Sequence, residues 1–194
     1  MRLHVALFAL AIASSAPAIV CAQEASVYLF LNEDTAEIKL DGLNVRLRAE
    51  LTDKDLSERE FMRTPRVWLT CYDSGRQVMS IDTADDLDPW PSIGDDHDVD
   101  VDARLVSQAG SFPELQTRLN ASRVTHLMTI SIDVTGHAED IARSWMQGFP
   151  IKLKASPGGG LKDLDLVIFS EARSQIFRTN AAALVRGCEA LKGD

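Results

Sequence analysis

Between Arg66 and Asp82 apolar and polar positions alternate with period two. Val67, Leu69 and Cys71 fall on one face, Trp68, Thr70 and Tyr72 on the other, the spacing of a half-buried strand. Asp73-Ser74-Gly75-Arg76 carries turn chemistry, with Gly75 free to take positive φ. Val78 to Ile81 resumes the strand. The stretch predicts a β-hairpin with Cys71 pointing inward. Ser174–Leu191 follows a different period. Phe177, Ala181, Leu184, Cys188 and Leu191 recur in steps of four and three residues, which places them on one stripe of an amphipathic helix. Cys188 therefore belongs to a buried stripe, and the two cysteines can meet.

The same patterns divide the rest of the chain. Val27–Leu31 predicts a first strand. Glu37–Leu40, Asp41-Gly42 and Asn44–Leu51 predict a second hairpin, in which Val45, Leu47, Ala49 and Leu51 alternate with Arg46, Arg48 and Glu50, apolar inside and charged outside. Thr52–Thr64 is polar and predicts a loop. Val99, Val101 and Ala103 alternate with Asp98, Asp100 and Asp102, predicting a strand with three carboxylates outward. Ser111-Phe112-Pro113-Glu114 predicts a helix start: Ser111 caps, Glu114 completes the capping box and Pro113 fits the first turn, with Leu115 and Leu119 on the buried side. His126–Val134 predicts a strand with Met128, Ile130, Ile132 and Val134 inward. Ala138–Met146 predicts a short helix, with Glu139 and Asp140 in its first turn, an apolar side of Ile141, Ala142 and Trp145, and Gly148 as its stop. Ile151–Lys154 and Leu164–Phe169 predict two strands joined by Ser156-Pro157-Gly158-Gly159-Gly160. The expected fold is α+β: a mostly antiparallel β-sandwich or partly open barrel of about seven to nine strands, covered by the C-terminal helix.

Composition changes this picture at the N-terminus first. Met1–Ala22 has a short polar start at Arg2 and His4, an unbroken apolar run over Val5–Ala13, and small residues at Val20-Cys21-Ala22. These are the marks of a secretory signal cut after Ala22, and the run is too short for a membrane span. A lipoprotein signal with Cys21 as the lipidated residue is the alternative. Either way the remaining residues, 23–194, hold an even pair, Cys71 and Cys188. In an oxidising compartment an inward-facing pair favours a disulfide over two buried thiols. About 172 residues suffice for a single domain with its own core. The expected location is the periplasm or the outside of the cell.

Removing Met1–Ala22 takes away Arg2 and no acid, leaving 29 acidic against 19 basic side chains and a net charge of −10. That balance argues against nucleic acid and anionic membrane surfaces as partners, and no stable membrane insertion is expected. It suits a cationic protein partner in the cell envelope. Eight aspartates crowd Ala84–Asp102: Asp85, Asp86, Asp88, Asp95, Asp96, Asp98, Asp100 and Asp102. Pro89-Trp90-Pro91 interrupts them as an exposed-looking loop. Three carboxylates along one strand face repel one another. Water on a charged edge strand, the Arg46/Arg48 face, a cation, or a cationic protein would relieve them. Trp90, Asp96, Asp98, Asp100 and Asp102 are therefore the candidate binding residues. Asp96, Asp98 and Asp100 are the candidate ligands of a calcium ion, although no EF-hand spacing is present, since Val101 and Ser107 stand where Gly and Glu would be required.

The histidines of the mature chain, His97, His126 and His137, sit in no zinc or metalloprotease pattern, and no serine lies in a nucleophile elbow. The glycines at 158–160 do not have phosphate-loop spacing. Asn120-Ala121-Ser122 matches a glycosylation sequon. No catalytic residue and no cofactor is expected. Three readings follow: an exported non-catalytic binding or accessory protein of the envelope, an inhibitor of a cationic secreted hydrolase such as a lysozyme, and a hydrolase whose site gathers the scattered histidines with carboxylates.

The order of features over roughly Arg66–Leu191 adds a resemblance. A strand ending in Cys before a Gly-containing turn (VWLTCYDSGRQV) is followed by an acid-rich strand ending in Arg (VDVDARL) and a short helix with Trp. A hairpin ending in FS and a closing Ala-rich helix with Cys (NAAALVRGC) complete the order. This resembles small secreted envelope proteins associated with bacterial type VI secretion, and is similar to the secreted invasion-associated locus B type. The resemblance implies a non-catalytic periplasmic accessory protein. It carries over no catalytic residue, and only Cys71 and Cys188 as a structural pair.

Overall fold

The computed structural model describes residues 26–53, 64–83, 89–94, 97–107, 114–124 and 127–192. The expected signal Met1–Ala22, with Cys21, lies outside them. So do Asp96, His126 and most of the polar stretch after Thr52. Nine strands and two helices follow in order: β1 Val27–Leu40, β2 Asn44–Asp53, β3 Arg66–Tyr72, β4 Gln77–Thr83, β5 Asp98–Ser107, β6 Leu115–Val124, β7 Leu127–Asp133, α1 Ala138–Met146, β8 Ile151–Ala155, β9 Leu164–Phe169 and α2 Gln175–Leu191. The strands form a closed barrel in the order β1-β2-β3-β4-β7-β6-β5-β8-β9. Neighbouring strands pair antiparallel except at the seam, where β1 runs parallel to β9 from Val27↔Leu166 to Phe30↔Phe169. The sheet is thus a closed barrel, and neither a sandwich nor a partly open one. The seam joins the two ends of the chain's strand order, a pairing no local pattern can report.

Alternation builds the interior. Leu69 and Cys71 of β3, Met79 and Ile81 of β4, Ile130 and Ile132 of β7, and Leu153 of β8 point inward and are buried in one contiguous core. The stretches expected as strands at Val27–Leu31 and Glu37–Leu40 are one strand with a bulge between Asn32 and Glu37. Thr35 holds the bulge: its hydroxyl donates to the Asn32 carbonyl at 2.8 Å and accepts the Glu50 N–H at 3.0 Å.

Leu115–Val124 is strand β6, not the helix that the capping signature predicts. Its residues pair with β5 on one side and β7 on the other. Leu119 and Ala121 alternate into the core. Two complete ladders outweigh a local start signal, since propensity is a weak prior beside tertiary pairing. Ser111 and Pro113 themselves lie outside the described residues.

Both helices sit at one end of the barrel. α1 carries the expected residues, with Ile141, Ala142 and Trp145 buried, and the Gly148 N–H closes it onto the Trp145 carbonyl. Its first turn is capped by a residue from another element. The Gln77 side-chain oxygen accepts the N–H groups of Gly136 at 2.9 Å and Ala138 at 3.0 Å. Gln77 also donates to Glu139, which Lys192 from the end of α2 meets at 2.6 Å. α2 starts at Ser174, whose hydroxyl accepts the Phe177 N–H. It then crosses the inward-facing side chains of β1, β2 and β3. Phe177, Ala181, Leu184 and Cys188 are buried there, as the helical stripe predicts. Cys188 forms a disulfide with Cys71, spanning 117 residues of sequence.

Gly187 marks how closely α2 approaches the barrel wall. A Cβ at this position would stand 2.9 Å and 3.0 Å from the two Cγ atoms of Val45. Val45 is buried and β-branched, which restricts its χ1, and its own Cβ would stand at 3.1 Å, so a rotamer change alone would not clear the contact. On an open helix surface Gly→Ala would stabilise by about 1 kcal/mol. Here overpacking, at about 1–3 kcal/mol, wins. Gly187→Ala is expected to lower the midpoint of denaturant unfolding, and a variant more stable than the natural chain would contradict this packing.

Candidate binding site at the open end of the barrel

The end of the barrel away from the helices is formed by the N-termini of β1, β3, β5, β7 and β9 and the C-termini of β2, β4, β6 and β8. Among the described residues no helix covers it. The Trp90 segment packs across its side instead. Trp90 is only 1% exposed, with its indole N–H donated to the Lys162 carbonyl at 2.7 Å. Its own carbonyl accepts from the Arg123 guanidinium at 3.1 Å and from the Ile93 N–H at 3.0 Å. The expectation of an exposed Trp90 is therefore corrected. Flanking prolines mark an irregular segment, but they do not say which way the indole turns. Here it turns inward, where its apolar body is buried and its N–H finds a carbonyl.

Beneath this segment lies a cavity of about 150 Å³, lined by Val27, Leu29, Pro65, Ile81, Asp82, Thr83, Pro89, Ile130, Leu164 and Leu166. A shallower groove of about 530 Å³ adjoins it and shares Val27, Pro89 and Leu164. Trp90, Pro91, Ser92, Lys162 and Asp163 are among its other lining residues. Among the described residues Asp82 is the one acid on the cavity wall. Burial pushes its carboxyl above the ordinary value, against the Thr129 hydroxyl that donates to it at 2.8 Å and the guanidinium groups of Arg66 and Arg48.

The acidic strand lies beside this end, on the outside. Asp98, Asp100 and Asp102 are exposed, while Val101 and Ala103 are buried, as the alternation predicts. β5 is not an edge strand, because it sits between β6 and β8. Its aspartate-bearing half pairs with β6, however, while β8 begins its pairing only at Ala103. The Arg46/Arg48 face, one of the candidates for relieving the aspartates, is not a neighbour of β5. Both stand on β2, where Arg48 reaches Glu37 at 2.6 Å. The carboxylates face β6 instead: Asp100 accepts from the Asn120 amide at 3.0 Å and Asp102 stands opposite Arg118. Same-face residues along a strand are about 6.5–7 Å apart, too far for three of them to share one ion at calcium distances. Among the described residues no group of three potential ligands comes together. Asn120 of the sequon sits mid-strand in this contact. His97 is next to Gly94 at the open end, whereas His137 opens α1 at the other, 3.9 Å from Asp140.

One group that sequence reading missed is Glu33. Its bulged position turns the side chain onto the start of α2, where it is only 8% exposed. It accepts from the Ser170 hydroxyl at 2.7 Å, the Ser174 N–H at 2.6 Å and the Ala172 N–H. Ala172 adopts φ +54 there, a conformation that side chains other than Gly seldom take. The acid run Glu33-Asp34 reads as a solvated turn, so nothing in it signals a buried acceptor. A polar groove of about 680 Å³ with Asn32, Asp34, Thr52 and Arg173 on its walls lies outside.

Burial raises the Glu33 carboxyl, but the bonds from Ser174, Ser170 and Ala172 outweigh it and hold the acid below its ordinary value. A lowered folded-state pKa gives stability that is complete above the unfolded value and lost as pH falls through the folded one. Glu33→Gln is expected to cost about 2–3 kcal/mol in neutral buffer, the worth of hydrogen bonds to a charged group. The penalty should shrink in acid below the carboxylate range. Denaturant melts at both pH values check this, and an equal penalty in the two contradicts it.

Compared with family models, with curated proteins and with solved structures, the chain gives no match.

Proposed function

We propose that this is an exported, non-catalytic binding or accessory protein of the cell envelope, whose working surface is the open end of the barrel and the acidic strand beside it. The observation that carries this reading is the Cys71–Cys188 disulfide, which needs an oxidising compartment to form and persist. The signal-like Met1–Ala22 and the resemblance to secretion-associated envelope proteins support it. None of the described residues is long and apolar enough in helical form to cross a membrane. Exposed Asp98, Asp100 and Asp102 suit a cationic protein partner rather than nucleic acid. No cofactor enters this reading.

The same exposed aspartates favour a second reading, inhibition of a cationic secreted hydrolase such as a lysozyme. In that case the triple variant Asp98→Asn, Asp100→Asn, Asp102→Asn abolishes an inhibition that the natural chain shows. An absence of inhibition across lysozyme classes removes the reading. The hydrolase reading has less support, since His97 and His137 stand at opposite ends of the barrel.

The leading reading is tested by expressing the full chain in a Gram-negative host and taking the intact, non-reduced mass from periplasm and cytosol. The expected product is periplasmic, begins at Gln23 and is two hydrogens lighter than the reduced chain. A full-length cytosolic product with all three cysteines as free thiols would overturn it.

A further inference from the structure

We propose that the cavity at the open end of the barrel is a binding site for a small apolar ligand: a benzene-sized ring, or the short alkyl end of an amphipathic molecule. The proposal goes beyond the envelope reading and does not depend on it. Protein interiors are close-packed, and voids larger than a water molecule are few. At the helix end the interior is filled by Phe177, Leu184 and the disulfide. At the other end about 150 Å³ stays open between Leu29, Ile81, Ile130, Leu164 and Leu166.

The walls cannot close on this space cheaply. All wall residues but Pro65 and Pro89 stand on four strands, β1, β4, β7 and β9, each paired on both sides in the ring. Ile81 and Ile130 face each other across β4 and β7, and Val27 and Leu166 across the parallel seam. Water is a poor occupant, because an ordered water needs two to four polar partners. Of the ten described residues on the wall only Asp82 and Thr83 have polar side chains, and both are tied to β7: the Thr83 hydroxyl donates to the Met128 carbonyl at 3.3 Å, and Asp82 accepts from Thr129 at 2.8 Å. Apolar cavities of about this volume stay dry and take up benzene. Burial of apolar ligand surface is then gained with no well-bonded water displaced.

Access and orientation follow from the adjoining groove. Val27, shared by cavity and groove, is 39% exposed. The groove brings Ser92, Lys162 and Asp163 to its rim, so the polar end of an amphipathic ligand would stay in water while its apolar end enters. This is the usual arrangement of sites in barrel mouths, an apolar lining with a few polar groups. The groove beside Glu33 lacks it, because the Glu33 carboxylate already takes up donors from Ser170, Ala172, Arg173 and Ser174.

The test is methyl-resolved NMR on the oxidised protein, titrated with benzene and separately with 1-hexanol. Saturable shifts are expected on the methyls of Leu29, Ile81, Ile130, Leu164 and Leu166, with none on Leu184 at the helix end. Leu166→Phe fills the space and is expected to abolish the shifts while keeping the folded spectrum. Ile81→Phe serves if that variant does not fold. Shifts spread equally over both ends, or no saturable shift up to the solubility of either probe, would overturn the proposal. So would shifts unchanged in a folded, cavity-filled variant.

Discussion

The structure depends on the docking of α2 against the inner side of the barrel. A sheet that closes on itself still has two ends to fill. Here one end is filled by a helix laid across β1, β2 and β3, and the Cys71–Cys188 bond fixes it there. The apolar stripe of Phe177, Ala181, Leu184 and Cys188 supplies the burial. Gly187 supplies the close approach, because any side chain there would run into Val45. Polar anchors complete the placement. Glu33 takes up N–H groups at the entrance to α2, and Lys192 at its exit meets Glu139. Through Gln77, next to Cys71 in register, the same polar cluster caps α1. Disulfide, helix cap and ion pair thus converge on a few residues of β3 and β4.

This concentration divides the molecule into unlike halves. The helix end combines covalent, apolar and buried ionic ties, so its parts cannot open independently. The other end is held by strand pairing and by the Trp90 segment, which the β8–β9 connection and Arg123 grip through hydrogen bonds. Less of its interior is filled, and its rim carries the acidic strand. Binding surfaces are drawn from the less constrained parts of a fold, because a partner or ligand must find space there. The proposed working surface therefore lies at the open end, with the disulfide end as its support.

Much of this was legible in the chain. Period-two alternation marks β2, β3, β5 and β7 with their inward faces and β4 as a strand, and the steps of four and three mark the buried side of α2. Together they placed Cys71 and Cys188 where they could bond. The failures have physical causes. The Ser111–Glu114 capping signature is a local signal, while β6 exists because two ladders claim Leu115–Val124. Barrel closure rests on the β1–β9 seam, between segments at opposite ends of the chain. The relief of the aspartates depends on which strand is the neighbour, and topology put β6 there in place of β2. The burial of Trp90 is not legible because its prolines describe the backbone and not the ring. Gln77 does carry a signal, a polar side chain in an inward slot one residue before Val78. The acids around Glu33 carried none.

Hydrogen exchange on the oxidised protein and on the Cys71→Ser/Cys188→Ser double variant tests the organising role of the crosslink most directly. For a loop of 117 residues the chain-entropy account gives about 4–5 kcal/mol. The predicted result is a large fall in global stability, with protection lost first along α2 and at its contacts on β1–β3, while β5 and β6 near the open end are affected last. Unchanged protection in α2, or a loss that begins at the open end, would contradict the account.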